Sequence, residues 1–124
     1  MFKAVHPVCP VTDLPRTVAF WQRLGFRLDF ADHPDLAQAN YAGVVRDGLS
    51  LHLQTFTPDQ LGEATSVSLR IEMDSKDALD ALEAEWGPHG VITAPIGDRD
   101  WGNREFGFYD PDKMAIFFFV SIGN

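Results

Sequence analysis

A chain of 124 residues that is 45% hydrophobic and 23% charged has a globular composition, with too many apolar side chains for a disordered one. Ten basic against eighteen acidic residues leave a net charge of −8, which argues against nucleic acid and suits a cationic partner. No apolar run approaches the roughly 20 residues of a bilayer span, the N-terminus lacks a signal-peptide core, and the lone Cys9 cannot form an internal disulfide, so a cytoplasmic protein without a membrane partner is expected.

In chain order, a short apolar stretch from Ala4 to Val11 leads into Thr12-Asp13-Leu14-Pro15. Leu14, Val18, Trp21 and Leu24 then fall on one face of a helix that Asp13 can cap, that tolerates Pro15 in its first turn, and that Gly25 ends. Phe26–Phe30 alternates as a strand, a polar loop runs from Ala31 to Asn40, and Tyr41–Val45 and Leu49–Gln54 form a hairpin turned at Arg46-Asp47-Gly48. The second half repeats the order. Ser66–Met73 reads as a strand, Ser75 caps a helix that turns Leu79, Leu82 and Trp86 inward, and Gly87-Pro88-His89-Gly90 stops it. Val91–Ala94 begins a strand, Pro95 to Asn103 is a polar loop, and Arg104–Tyr109 pairs with Met114–Val120 across Asp110-Pro111-Asp112. Asp13 and Ser75, Gly25 and Gly90, and Asp47 and Asp110 recur at offsets of 62 to 65 residues, which implies two copies of one strand-helix-strand-strand-strand unit.

A helix covers one face of each sheet, so alternate side chains point to a core and to an open face. Leu49, Leu51 and Leu53 take the core and send Ser50, His52 and Gln54 out; Val67, Leu69 and Ile71 send out Ser66, Ser68 and Arg70. Two such sheets facing each other would enclose a groove.

Val8-Cys9-Pro10-Val11-Thr12-Asp13-Leu14 through Phe20-Trp21-Gln22-Arg23-Leu24-Gly25-Phe26 resembles the opening of the glyoxalase/bleomycin-resistance/extradiol-dioxygenase superfamily, the vicinal oxygen chelate proteins. Tyr41-Ala42-Gly43-Val44-Val45-Arg46-Asp47 and Trp101-Gly102-Asn103-Arg104-Glu105-Phe106, followed by Asp110-Pro111-Asp112, resemble its bleomycin-resistance branch more narrowly. The resemblance implies an α+β fold, one domain over 1–124 built of two βαβββ modules (about 1–57 and 64–122) that form a concave sheet. It further implies a homodimer with ligand grooves between subunits and exchange of the N-terminal strand. Pro7 and Pro10 interrupt that strand's hydrogen bonding, as suits an arm that leaves its own sheet edge.

The superfamily's enzymes hold a divalent metal with ligands from the first, fourth, fifth and eighth strands. Those positions fall on His6, His52, Ser66 and Phe117, so a serine and a phenylalanine stand where His and Glu are needed. His6 and His52 read as polar groove residues, and no cofactor is expected. The alternative is a metal-dependent lyase, isomerase or dioxygenase that uses both imidazoles with an unidentified further ligand. Cys9 lies on the covered face without activating context, and His33 and His89 sit in loops.

Aromatic and acidic residues carry the remaining signal. Phe30 and Tyr41 flank the first polar loop, Trp101 lies in the second, and Phe117 and Phe119 alternate onto the open face, unless they fill a closed core. Asp29, Asp32 and Asp35 border the first loop, and Asp98 and Asp100 the second; these charges either attract a cationic ligand or form a solvated surface. The drug-binding branch carries an aromatic on the fifth strand where this chain has Ser68 and Arg70, and a glycine where it has Lys113. Arg70 can pair with Glu105 or Glu72, or bind an anionic substrate. The expected function is non-catalytic sequestration of a planar, cationic, bleomycin-like molecule for antibiotic resistance, with Phe30, Tyr41, His52, Gln54, Ser68, Arg70, Trp101, Phe117 and Phe119 as ligand-binding residues; a regulatory binding module is a third reading.

Overall fold

Asp13 and Ser75 open the two long helices in the same way. Each sits in extended conformation, and its side chain accepts a hydrogen bond from the backbone N–H three residues on, Arg16 at 3.1 Å and Ala78 at 3.0 Å. Such a cap stabilises a helix by about 1 kcal/mol. The computed structural model describes residues 1–63 and 68–123. Its strands are β1 (Val8–Val11), β2 (Arg27–Ala31), β3 (Tyr41–Arg46), β4 (Leu49–Thr55), β5 (Ser68–Glu72), β6 (Ala94–Asp98), β7 (Asn103–Tyr109) and β8 (Ala115–Ser121). The helices are α1 (Leu14–Arg23), α2 (Pro58–Glu63) and α3 (Lys76–Trp86).

The strands form two four-stranded sheets of the same order, β1-β4-β3-β2 and β5-β8-β7-β6. In each, the first strand runs parallel to the fourth and the other pairs are antiparallel. Two compact units result, Met1–Thr65 and Ser66–Asn124. The repeat read from the spacing of caps and turns is therefore real at the level of topology.

Alternation decides what each unit buries. In the first, Val11, Val44, Leu51 and Leu53 are wholly buried, as are Val18, Trp21 and Leu24 of the α1 segment. Cys9 is buried with them on β1. In the second, Trp86 on α3 meets Phe106, Phe108 and Phe118 edge-on, with centroids 6.1, 5.7 and 5.1 Å away. Such aromatic pairs add about 0.5–1.5 kcal/mol each beyond their burial.

Two parts of the structure depart from expectation. The strand expected over Val91–Ala94 instead runs over Ala94–Asp98, through residues assigned to the polar loop. β6 is an edge strand with a register shift between Ala94 and Gly97, and an edge tolerates Pro95, which has no N–H to donate. α2 was not anticipated, yet its signal is present: Thr57 Oγ1 accepts from the Gln60 N–H at 3.2 Å and Gln60 Oε1 accepts from the Thr57 N–H at 2.9 Å, a reciprocal capping box. At the N-terminus β1 begins at Val8 and runs parallel to β4, and Met1, Phe2 and Val5 are wholly exposed. Ser66 and Val67 lie outside the described residues.

Both hairpins turn through left-handed residues. Asp47 and Gly48 have φ of 52° and 81°, the type of turn that an Asp-Gly pair favours. At the other hairpin, Asp110 Oδ1 accepts from the Asp112 and Met114 N–H groups, both at 2.9 Å, and Lys113 is held at φ 68°. A side chain with Cβ is strained there, so Lys113→Gly should raise stability by about 0.5–1 kcal/mol in urea denaturation, with the fold unchanged.

Candidate functional site

The open face of the first unit is built from β1, β4, β3 and β2. Register places Tyr41, Gly43 and Val45 opposite Gln54, His52 and Ser50 on that face, and Ala42 and Val44 opposite Leu53 and Leu51 in the core. Strict alternation along β2 would put Phe30 in the core with Leu28. It does not go there: Leu28 pairs with Val44 but Phe30 pairs with Gly43, so Asp29 is an extra residue and the bulge turns Phe30 outward. Its ring lies on Gly43, where a Cβ would overlap Phe30 Cε1.

His52 is the centre of this face. Its Nδ1 lies 2.8 Å from the Tyr41 hydroxyl, Phe30 meets its ring edge-on at 5.2 Å, and His6 stacks on it at 4.9 Å with the planes 11° apart. Phe30 and Tyr41 are themselves stacked at 6.1 Å. Phe30 remains 40% exposed, and Gln54 is exposed at the end of the row. The structure thus brings together four of the expected residues, Phe30, Tyr41, His52 and Gln54, with His6 beside them.

The second unit's open face carries a charge pair instead. Arg70 lies opposite Phe117 on β8, and Glu105 on β7 lies opposite Phe119. Arg70 Nη2 donates to Glu105 Oε1 at 2.6 Å, and the Trp101 indole N–H donates to the same oxygen at 2.9 Å. The guanidinium carbon sits 5.4 Å from the Phe117 ring centroid and 5.2 Å from that of Phe119. Of the two carboxylates open to Arg70 from sequence, Glu105 is thus the partner. Phe117 and Phe119 are half-buried under a cation rather than a bare platform, whereas Trp101 projects with 65% of its surface exposed. Ser68 is exposed on β5. Gly107 serves here as Gly43 does in the first unit: a Cβ on it would come within 2.6 Å of Phe117 Cδ1. Neither glycine was singled out from sequence, although each sits mid-strand, the position that signals a close approach.

Glu105 is 2% exposed. Burial alone pushes its carboxyl up, but the hydrogen bonds from Trp101 and Arg70, with the charges of Arg70 and Arg99, outweigh that and hold it below the ordinary glutamate value.

The loop carboxylates are less free than their sequence positions imply. Asp29 pairs with Arg27 at 3.2 Å and Asp98 with Arg104 at 3.0 Å. Asp32 Oδ1 accepts from the Asn40 and Tyr41 N–H groups, and Asp35 Oδ1 from that of Ala37, so both are built into the first loop. Asp100 is exposed.

The residues at the metal positions do not fit a divalent ion. Stacked, nearly parallel imidazoles direct their lone pairs side by side rather than at one point, and Tyr41 already engages His52 Nδ1. Phe117 has no lone pair, Ser66 lies outside the described residues, and among the described residues no group of three or more His, Cys, Asp or Glu could hold a metal. His33 and His89 are exposed, as expected of loop residues.

Gly43→Ala should displace the Phe30 ring, destabilise the protein by about 1–3 kcal/mol, and shift the Tyr41 and His52 side-chain NMR signals. Because the Glu105 carboxyl is held low, its ion-pair stabilisation is complete above the ordinary value near 4.5 and is lost as pH falls through the lower folded value. Denaturation midpoints between pH 7 and 3 should therefore fall less steeply in Glu105→Gln, starting from a lower neutral-pH stability.

A family model of the Glyoxalase/Bleomycin resistance protein/Dioxygenase superfamily matches residues 3–118. Among solved structures, the bleomycin-binding protein of bleomycin-producing Streptomyces verticillus, complexed with copper(II)-bleomycin, is 30% identical over 100% of this chain and 98% of that one, with a TM-score of 0.74. A second bleomycin-binding protein, complexed with bleomycin, is 22% identical over 97% of this chain and 99% of that one, with a TM-score of 0.77. The fosfomycin resistance protein FosX of Listeria monocytogenes is 21% identical over 98% and 94% of the two chains, with a TM-score of 0.69. No curated protein matches. The two repeated units, their sheet order and the family match agree: the chain belongs to the glyoxalase/bleomycin resistance/dioxygenase superfamily.

Proposed function

We propose that the protein binds a planar, cationic small molecule of the bleomycin type and sequesters it without chemistry, as an antibiotic-resistance protein of the cytoplasm. The observation that carries this reading is the first unit's open face, where a bulge and a glycine turn Phe30 outward and stack it with Tyr41 beside His52. Aromatic rings fixed in this way are pre-organised to take a flat heteroaromatic group between or upon them at little entropic cost. The net charge of −8 attracts a cationic tail through the surrounding field, even where individual carboxylates are already hydrogen-bonded. Sequestration requires affinity and stoichiometry alone, which is consistent with a donor set that does not suit a catalytic metal. The relative at 30% identity is a bleomycin-binding protein, which supports the same ligand class.

The binding form proposed is a homodimer, with the ligand in the groove between subunits that the family resemblance implies. Exchange of the N-terminal strand with a second copy, which the family resemblance implies, belongs to the same proposal; Met1, Phe2 and Val5 ahead of β1 are exposed. Among the described residues no helix is long and apolar enough to cross a membrane.

Trp101 is largely exposed while Trp21 and Trp86 are buried, so a ligand-induced change in intrinsic fluorescence reports chiefly on the surface ring. Titration with metal-free bleomycin should quench or shift it at micromolar drug. Trp101→Ala and Phe30→Ala should each weaken binding, followed by calorimetry, by about 1–3 kcal/mol. Absence of any heat or spectral change at tens of micromolar drug would remove bleomycin as the ligand.

A further inference from the structure

On the second unit's open face, the ring cluster is capped by the protein's own cation. Arg70 lies over Phe117 and Phe119, with centroid distances of 5.4 and 5.2 Å, so the quadrupoles of both rings are already engaged. A ligand ammonium or amidinium brought to the same rings would meet a guanidinium first. The position is not soft, because Glu105 is buried and accepts from Arg70 at 2.6 Å and from the Trp101 indole at 2.9 Å on one oxygen. Moving Arg70 aside would leave that carboxylate buried with a single neutral donor, which is costly. The guanidinium and the exposed indole are thus fixed as neighbours by a shared anchor.

What remains unused points to a ligand. The Arg70 side chain is 41% exposed, and among the described residues its one side-chain hydrogen bond goes to Glu105. A guanidinium is a planar fork of N–H donors, and a carboxylate is the group whose two oxygens match it. The neighbouring Trp101 ring, 65% exposed, offers a flat surface for stacking.

We propose that the second unit's open face is a site for the carboxylate edge of a planar aromatic acid, with Arg70 as the residue that determines the sign of charge accepted and Trp101 as the stacking surface. The acid's oxygens take hydrogen bonds from the guanidinium donors not used by Glu105, and its ring lies against the indole. This rests on the reading that the open faces hold a flat ligand, but not on that ligand's being cationic. A bleomycin-type molecule would accordingly place its cationic tail away from Arg70.

The experiment compares two probes with one ring and opposite charge, 2-naphthoate and 2-naphthamidine, by isothermal titration calorimetry on the full chain, with metal-free bleomycin titrated separately. The naphthoate should bind at least about tenfold more tightly than the amidine, and Arg70→Gln, which keeps a donor for Glu105, should erase or reverse that preference. Equal or reversed affinities in the wild type, or an unchanged ratio in Arg70→Gln, overturn the proposal. Detectable bleomycin with neither probe bound overturns it while the flat-ligand reading stands, and no binding of any of the three removes both. If Arg70→Gln fails to fold, the 15N–1H signals of the Arg70 side chain in the wild type decide: they should shift on naphthoate addition, and no shift overturns the proposal.

Discussion

Each sheet is covered by a helix on one side only, and this constraint governs everything else in the structure. A strand's side chains alternate between the covered and the open face, so no residue can change sides unless the register changes. The first unit obeys that rule along β3 and β4, where Ala42, Val44, Leu51 and Leu53 are buried and Tyr41, His52 and Gln54 are turned out. It breaks the rule at Asp29, where one extra residue in β2 moves Phe30 from the side of Leu28 to the side of His52. The aromatic face exists because of that break, and the break is tolerable because Gly43 leaves the space that the displaced ring fills.

Local chemistry was legible in the sequence, and choices made between distant strands were not. The caps at Asp13 and Ser75 and the Asp47-Gly48 turn are signals contained in a few neighbouring residues, and the structure honours each. The capping box of Thr57 and Gln60 is equally local; it was missed because the helix it opens is short. Phe30 flanks the first loop and is expected in the site, against its own alternation with Phe26 and Leu28, and only the pairing of β2 with β3 shows how both hold. β6 was placed too early because Pro95 and Gly97 look like loop residues. On an edge strand with a register shift they are compatible with pairing. The loop carboxylates were read as free charge because composition counts charges but not the N–H groups and arginines that claim them.

The two units show how one frame supports different chemistry. Gly43 pairs with His52 in the first sheet and Gly107 with Phe117 in the second, so these are equivalent places. By the same register, Tyr41 corresponds to Glu105 and Gln54 to Phe119. The first unit therefore presents rings joined by a hydroxyl–imidazole hydrogen bond, whereas the second presents an ion pair above apolar rings. Replacing the tyrosine place by a glutamate has a consequence that spreads through the face. A carboxylate buried on a sheet must be paired, and here the pairing cation comes from β5, two strands away across β8, through Arg70.

Arg70 is thus engaged by the fold before any ligand is considered, and the electrostatics of the second unit's face follow from that engagement. The buried partner neutralises the pair as a whole, but Glu105 is held inside while Arg70 reaches the surface, so the exposed end is positive. The protein's overall negative charge acts at long range and is screened by salt, whereas a fixed guanidinium beside an indole acts at contact distance. Attraction of a cation to the molecule as a whole and exclusion of a cation from this one face are therefore physically compatible. The register of β5, β7 and β8 alone places Arg70, Glu105 and the two phenylalanines on one face, so this local field is a property of the sheet itself.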